Sequence, residues 1–77
     1  MNIDAQVAKH SESPYSHLLV YVHEFVSGSF EGTSFEDSLP FCSDADAREW
    51  VKAINGKAKR GKLNYRVNDF VVVRLGR

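Results

Sequence analysis

The residues of this chain with the chemistry to catalyse or to hold a metal are His10, His17, His23, Cys42 and a scatter of carboxylates. His17 and His23 share a face if they lie on one strand, because strand side chains alternate with a period of two. A zinc site, however, asks for four ligands in short recognisable spacings, and one cysteine with two strand histidines six apart does not provide that set. Cys42 stands just before a helix start, a position that lowers a thiol pKa, but Asp44 and Asp46 beside it act the other way. It reads better as an apolar staple packed on Ala47. Glu36 and Asp37 project to opposite faces of a strand and cannot act together on one bond. Gly28 and Gly32 lack a following Lys-Ser/Thr and enclose Glu31, so they are turn glycines rather than a phosphate cradle. No catalytic, cofactor-binding or metal-binding residue is therefore expected, and the chain reads as a non-enzyme.

Charge is the feature with most functional content. The formal net charge is zero, yet the signs are segregated. From Glu24 to Glu49 there are seven acids against Arg48 alone, or −6; from Trp50 to Arg77 there are eight bases against Asp69 alone, or +7. Such asymmetry speaks to association rather than fold. Two candidate surfaces follow. The first is acidic and studded with aromatics: Phe30, Glu31, Glu36, Asp37, Asp44 and Asp46, suited to a protein partner. The second is a basic loop over residues 57–66, where Lys57, Lys59, Arg60 and Lys62, with Tyr65 and Arg66, combine phosphate-neutralising charge with a ring that can stack on a base.

The elements that must position these residues are legible from pattern. Residues 1–16 carry Ser11, Ser13, Pro14 and Ser16 with few apolar side chains, which predicts a flexible N-terminal tail; Ile3 and Val7 define one helical turn, too short to stand alone. Residues 17–77 are expected to form one α+β domain. His17 to Val26 is apolar in both alternating sets, the mark of a central strand covered on both faces. After the Gly28 to Gly32 turn, Phe35 to Phe41 makes a second strand, with Pro40 favouring an edge. Ser43 is an N-cap, Ala47, Trp50, Val51 and Ile54 form a buried helical stripe, and Asn55-Gly56 reads as the stop of a helix from Asp44 to Asn55. Leu63 to Leu75 is either one long strand or a hairpin turning at Asn68-Asp69, and the turn chemistry tips the reading to a hairpin. The expected architecture is a small antiparallel sheet with one helix packed on one face, in the order β-β-α-β(-β).

Seventy-seven residues make one marginal domain, and a single cysteine excludes an internal disulfide, so a partner or a second copy is expected to contribute stability. The longest apolar run, Leu18 to Val22, is far too short to span a membrane, and the expected compartment is the cytoplasm. In size and local charge the chain has the general character of small accessory proteins of bacteria and their phages, many of which bind a host protein. The expected function is thus a non-enzymatic protein-binding module, an accessory or inhibitor type; the alternative is a weak nucleic-acid-binding domain using the basic tract.

Overall fold

The computed structural model describes residues 1–76. Five elements follow one another: α1 (Ile3–Lys9), β1 (His17–Phe25), β2 (Ser34–Phe41), α2 (Asp44–Lys59) and β3 (Tyr65–Arg74). The strands form one antiparallel sheet in the order β2-β1-β3. The α+β class is as expected, with β1 in the centre and the proline-bearing β2 at an edge.

Both faces of β1 are covered. Leu18, Leu19 and Val20 have no solvent exposure, which alternation allows only if something lies on each side of the sheet. On one side α2 packs Ala47, Val51 and Ile54 against Leu19, Tyr21 and Val67, with Trp50, Leu39, Phe41, Phe70 and Val72 around them. The other side carries Leu18, Val20 and Ser38, and α1 lies there. Its Gln6 is buried and its amide oxygen accepts from the Ser38 hydroxyl at 2.6 Å. That hydroxyl in turn lies 3.1 Å from His10 Nε2, so with its proton given to Gln6 it accepts from the imidazole N–H. Residues 1–16 are expected to form a flexible tail with little to bury; instead they contribute a helix whose inward side carries half-buried Ile3, Val7 and His10 around the buried Gln6, with Gln6 and His10 bonded to Ser38 of β2. An apolar stripe is the usual sign of such a helix, and a glutamine hides it.

Two local corrections change where the functional residues sit. The helix does not stop at Asn55-Gly56 but runs to Lys59. Asn55 spends its side chain elsewhere: the amide donates to the Val67 carbonyl at 3.1 Å and accepts from the Val67 N–H at 2.8 Å. The helix ends instead at Gly61, whose φ of +73° suits the residue after the cap. The Lys62 N–H bonds the Lys57 carbonyl at 2.9 Å and the Gly61 N–H bonds the Ala58 carbonyl at 3.1 Å, the paired closure of a Schellman motif. The expected basic loop over residues 57–66 therefore opens as the last turn of α2 and closes as the start of β3.

The second correction concerns the last strand. β3 is one strand, not a hairpin, and Asn68-Asp69 marks a β-bulge within it. Tyr21 pairs with Phe70 and Val22 with Asn68, leaving Asp69 as the extra residue at φ +49°. The tolerance of positive φ that suggested a turn serves the bulge. Its consequence is a change of parity. Tyr65 and Val67 face α2 before the bulge, and Phe70 and Val72 face it afterwards, whereas unbroken alternation would have turned Val71 and Val73 inward. Cys42, expected as a buried staple, is exposed; Phe41 instead approaches Trp50, with ring centroids 6.0 Å apart.

The two glycines of α2's end separate experimentally. Gly61→Ala forces a side chain into the left-handed region and is expected to cost about 1 kcal/mol. Gly56→Ala sits in helix interior, where an added methyl meets only the mobile tip of Arg60 at 3.3 Å, and should stabilise by up to about 1 kcal/mol. Urea unfolding of both variants checks the helix boundary. Equal effects, or a loss at Gly56, would return the helix end to Asn55.

Candidate functional site

Strand pairing gathers an aromatic cluster at one end of the sheet, on the side that carries α2. His23 of β1 stands opposite Phe35 of β2, and its ring stacks between Phe35 (centroids 4.5 Å apart, 20° between planes) and Tyr65 of β3 (4.0 Å, 13°). Phe25 tilts against His23 at 4.8 Å, and Phe30, from the hairpin connection, tilts against Phe25 at 5.6 Å. The connection holds Phe30 out at the tip: Gly28 and Gly32 take positive φ, and the Phe30 carbonyl accepts from the Thr33 hydroxyl at 2.6 Å. Phe30 is 64% exposed and Phe35 46%, the largest exposures of any phenylalanine among the described residues.

His23 works here as a ring rather than as a base. Its Nε2 is buried and has no hydrogen-bond partner among the described residues. Burial holds its pKa below the ordinary imidazole value, and the nearby Asp37 carboxylate opposes that only in part. A neutral imidazole stacks between two π faces without having to carry a desolvated charge. Asp37 belongs to the next layer of the same face, where Tyr21 is its neighbour. Burial first, then the charge of Asp37, push the Tyr21 hydroxyl up to about 12, with Tyr65 and a hydrogen bond to Asp37 adding to the shift.

The acidic residues expected to form one surface are not brought together. Glu36 lies on the other face of the sheet, where its carboxylate accepts from the backbone N–H of Asn2 at 2.6 Å. Asp44 and Asp46 sit in the first turn of α2, at the end of the sheet away from Phe30 and Glu31, because α2 starts beside Phe41 and runs back. There Asp44 pairs with Arg48 at 2.6 Å and Asp46 donates its N–H to Ser43 Oγ at 3.1 Å. Helix stability accounts for both acids. Of the acidic set only Phe30 and Glu31 share the hairpin tip, and of its remaining acids Asp37 alone lies on the aromatic face.

The basic set fares better. Lys57 and Lys59 occupy the last turn of α2, Arg60 is its cap, and Lys62 follows in the closing motif. This helix end lies at the aromatic end of the sheet, since β3 begins there with Tyr65 and Arg66. Arg66 bonds Glu24 through Nε at 2.5 Å. Lys59 and Arg66 flank a shallow groove of about 380 Å³ whose remaining lining is Val26, Asn55, Ala58 and Val67. Tyr65, proposed as a base-stacking ring, already gives one face to His23.

Sequence reasoning also overlooked a serine and histidine in contact. Ser16 Oγ lies 2.7 Å from His17 Nδ1 and donates to the Cys42 carbonyl at 2.9 Å. Because the hydroxyl proton is spent on that carbonyl, His17 must donate to the oxygen, the reverse of what activates a nucleophile. The contact ties the start of β1 to the end of β2.

The depressed His23 pKa carries a stability consequence whose sign is fixed. Below pH 6.5 the unfolded chain takes up a proton that the folded state refuses until its own lower pKa is reached. Stability from this residue is thus complete above 6.5 and declines as pH falls below it. His23→Phe should remove that decline, read as a smaller drop in urea midpoint between pH 7.5 and 5.5 than wild type shows; an equal drop would mean that His23 titrates freely. Compared with protein-family models, with curated proteins and with solved structures, the chain matches none.

Proposed function

We propose that the chain is a small non-enzymatic protein-binding module and that the aromatic end of its sheet is the binding surface. The observation that carries this is the exposure of Phe30 and Phe35 on top of a rigid stack. Two phenylalanines held by a glycine-framed turn and an edge strand leave much of their apolar surface in water, yet they are the kind of side chain that supplies most affinity once buried against a partner. Their support is preorganised, since Phe35 rests on His23 and Phe30 on Phe25, so little conformational freedom is lost on docking. The rim at this end is supplied by Lys57, Lys59, Arg60 and Lys62. The partner it suits presents an apolar side chain flanked by acids. Occluding such a surface on a host protein is what an accessory or inhibitory role requires.

A second reading, binding of single-stranded nucleic acid, draws on the same basic residues gathered beside Tyr65. It is the weaker one, because Arg66 of that set already pairs with Glu24 and Tyr65 already gives one face to His23, which leaves less free charge and ring surface for phosphate and base.

Immobilised chain, incubated with cell lysate and cross-linked, should retain a specific protein that a Phe30→Asp, Phe35→Asp double variant releases. Neutralising Lys57, Lys59, Arg60 and Lys62 should weaken the same capture less, chiefly through a slower association. Tight binding of an oligothymidine at 150 mM salt, abolished by the basic variant and untouched by the phenylalanine variant, would replace this reading with the second. No specific capture by the wild-type chain and no oligonucleotide binding would remove both.

A further inference from the structure

Sheet edges are a further place where this chain can meet another, and the register allows their free groups to be assigned. Phe25 exchanges backbone bonds with the β2 side, through Thr33 and Gly32, while Val26 donates to Asn64 on the β3 side. Odd-numbered residues of β1 therefore bond β2 and even-numbered ones bond β3. It follows that β2 turns the backbone groups of Ser34, Glu36, Ser38 and Pro40 to its open edge, and that β3 turns out those of Tyr65, Val67, Phe70, Val72 and Arg74.

Much of this edge is already protected. On β2 the Ser38 N–H is taken by the Asp37 carboxylate at 2.8 Å, and Pro40 has no N–H to offer. On β3 the Asn55 side chain closes both groups of Val67, and the bulge at Asp69 breaks the line next to it. Beyond the bulge the protection ends. From Phe70 to Arg74 the strand is paired in unbroken register with Tyr21 to His17 and is rich in residues of high strand propensity on both faces. The outward N–H and C=O groups of Phe70, Val72 and Arg74 make no hydrogen bond among the described residues.

We propose that this half-strand is an interface and that its occupant is a second copy of the same chain, joined edge to edge in antiparallel fashion about a two-fold axis at Val72. The pattern is self-complementary in that register. Val72 faces the partner's Val72, Val71 faces the partner's Val73, and Arg74 faces the partner's Phe70 rather than another cation. The outward groups of Phe70, Val72 and Arg74 all meet outward groups of the other copy, so the three-stranded sheets join into one of six. A zero net charge leaves no long-range repulsion between copies. The contact is one strand wide and smaller than the roughly 1,200 Å² of stable complexes, so the dimer dissociates on dilution. This surface is distinct from the aromatic end, and either can exist without the other.

Sedimentation equilibrium over a concentration series, with residue-resolved amide exchange, tests the proposal. Wild type should move from 8.7 kDa toward twice that mass, while the amides of Phe70, Val72 and Arg74 slow on the order of tenfold or more with rising concentration. Arg74→Pro removes an outward N–H that the β1 ladder does not use, and Val73→Lys places charge opposite the partner's Val71; circular dichroism and Trp50 fluorescence confirm that each still folds. Both variants should stay at 8.7 kDa. A wild type that is monomeric into the millimolar range overturns the proposal. So does a dimer that survives both variants with the three outward amides still exchanging fast, or slowing of those amides only when an unrelated extended peptide is added.

Discussion

The burial of β1 on both faces is the constraint on which the rest of this molecule depends. A chain of 77 residues has little apolar surface to hide, and it concentrates its largest fully buried side chains, Leu18, Leu19 and Val20, on consecutive residues of one strand. Consecutive strand residues point in opposite directions, so that choice obliges the chain to supply two covers. The long helix α2 provides one through Ala47, Val51 and Ile54. The short helix α1 provides the other, with half-buried Ile3 and Val7 beside Gln6 and His10, which bond Ser38.

From that arrangement the placement of the functional residues follows. With β1 central, β2 and β3 run parallel to each other on its two sides, and Phe35 and Tyr65 near their starts flank His23 at one end. α2, returning from β2 to β3, brings its basic C-terminus to that same end and leaves its acidic first turn at the other. The charge segregation visible along the chain is thus partly the helix's own dipole preference written into sequence. What the fold adds is the aromatic stack, assembled from three strands and the hairpin connection, with Tyr65 far from the rest in sequence.

How much of this was legible in the sequence varies with how local the determining interaction is. The doubly covered first strand, the proline-marked edge strand, the Ser43 cap and the helical stripe were all readable because each rests on neighbours within a few residues. Asn55-Gly56 misled because the asparagine answers to Val67, twelve residues on, and the positive φ that closes the helix lies at Gly61. Asn68-Asp69 misled because a bulge and a tight turn draw on the same backbone tolerance. α1 was hidden because Ile3 and Val7 make only a short apolar stripe, and the polar groups that complete its inward side find their partner on β2. Of the candidate surfaces, the basic set stayed together, being contiguous along the helix end, while the acidic set was divided by strand alternation and by the length of α2. The ring stack itself needed the register of three strands, which no spacing along the chain reveals.

The most direct test of the two-cover account is urea unfolding of a chain lacking residues 1–12. Removing α1 exposes Leu18 and Val20, and each fully buried side chain of this kind contributes roughly 1.5–3 kcal/mol, so the truncated chain should lose about 3 kcal/mol or more, or fail to fold. An unfolding midpoint unchanged by the truncation would show that α1 covers nothing that matters and would contradict the account.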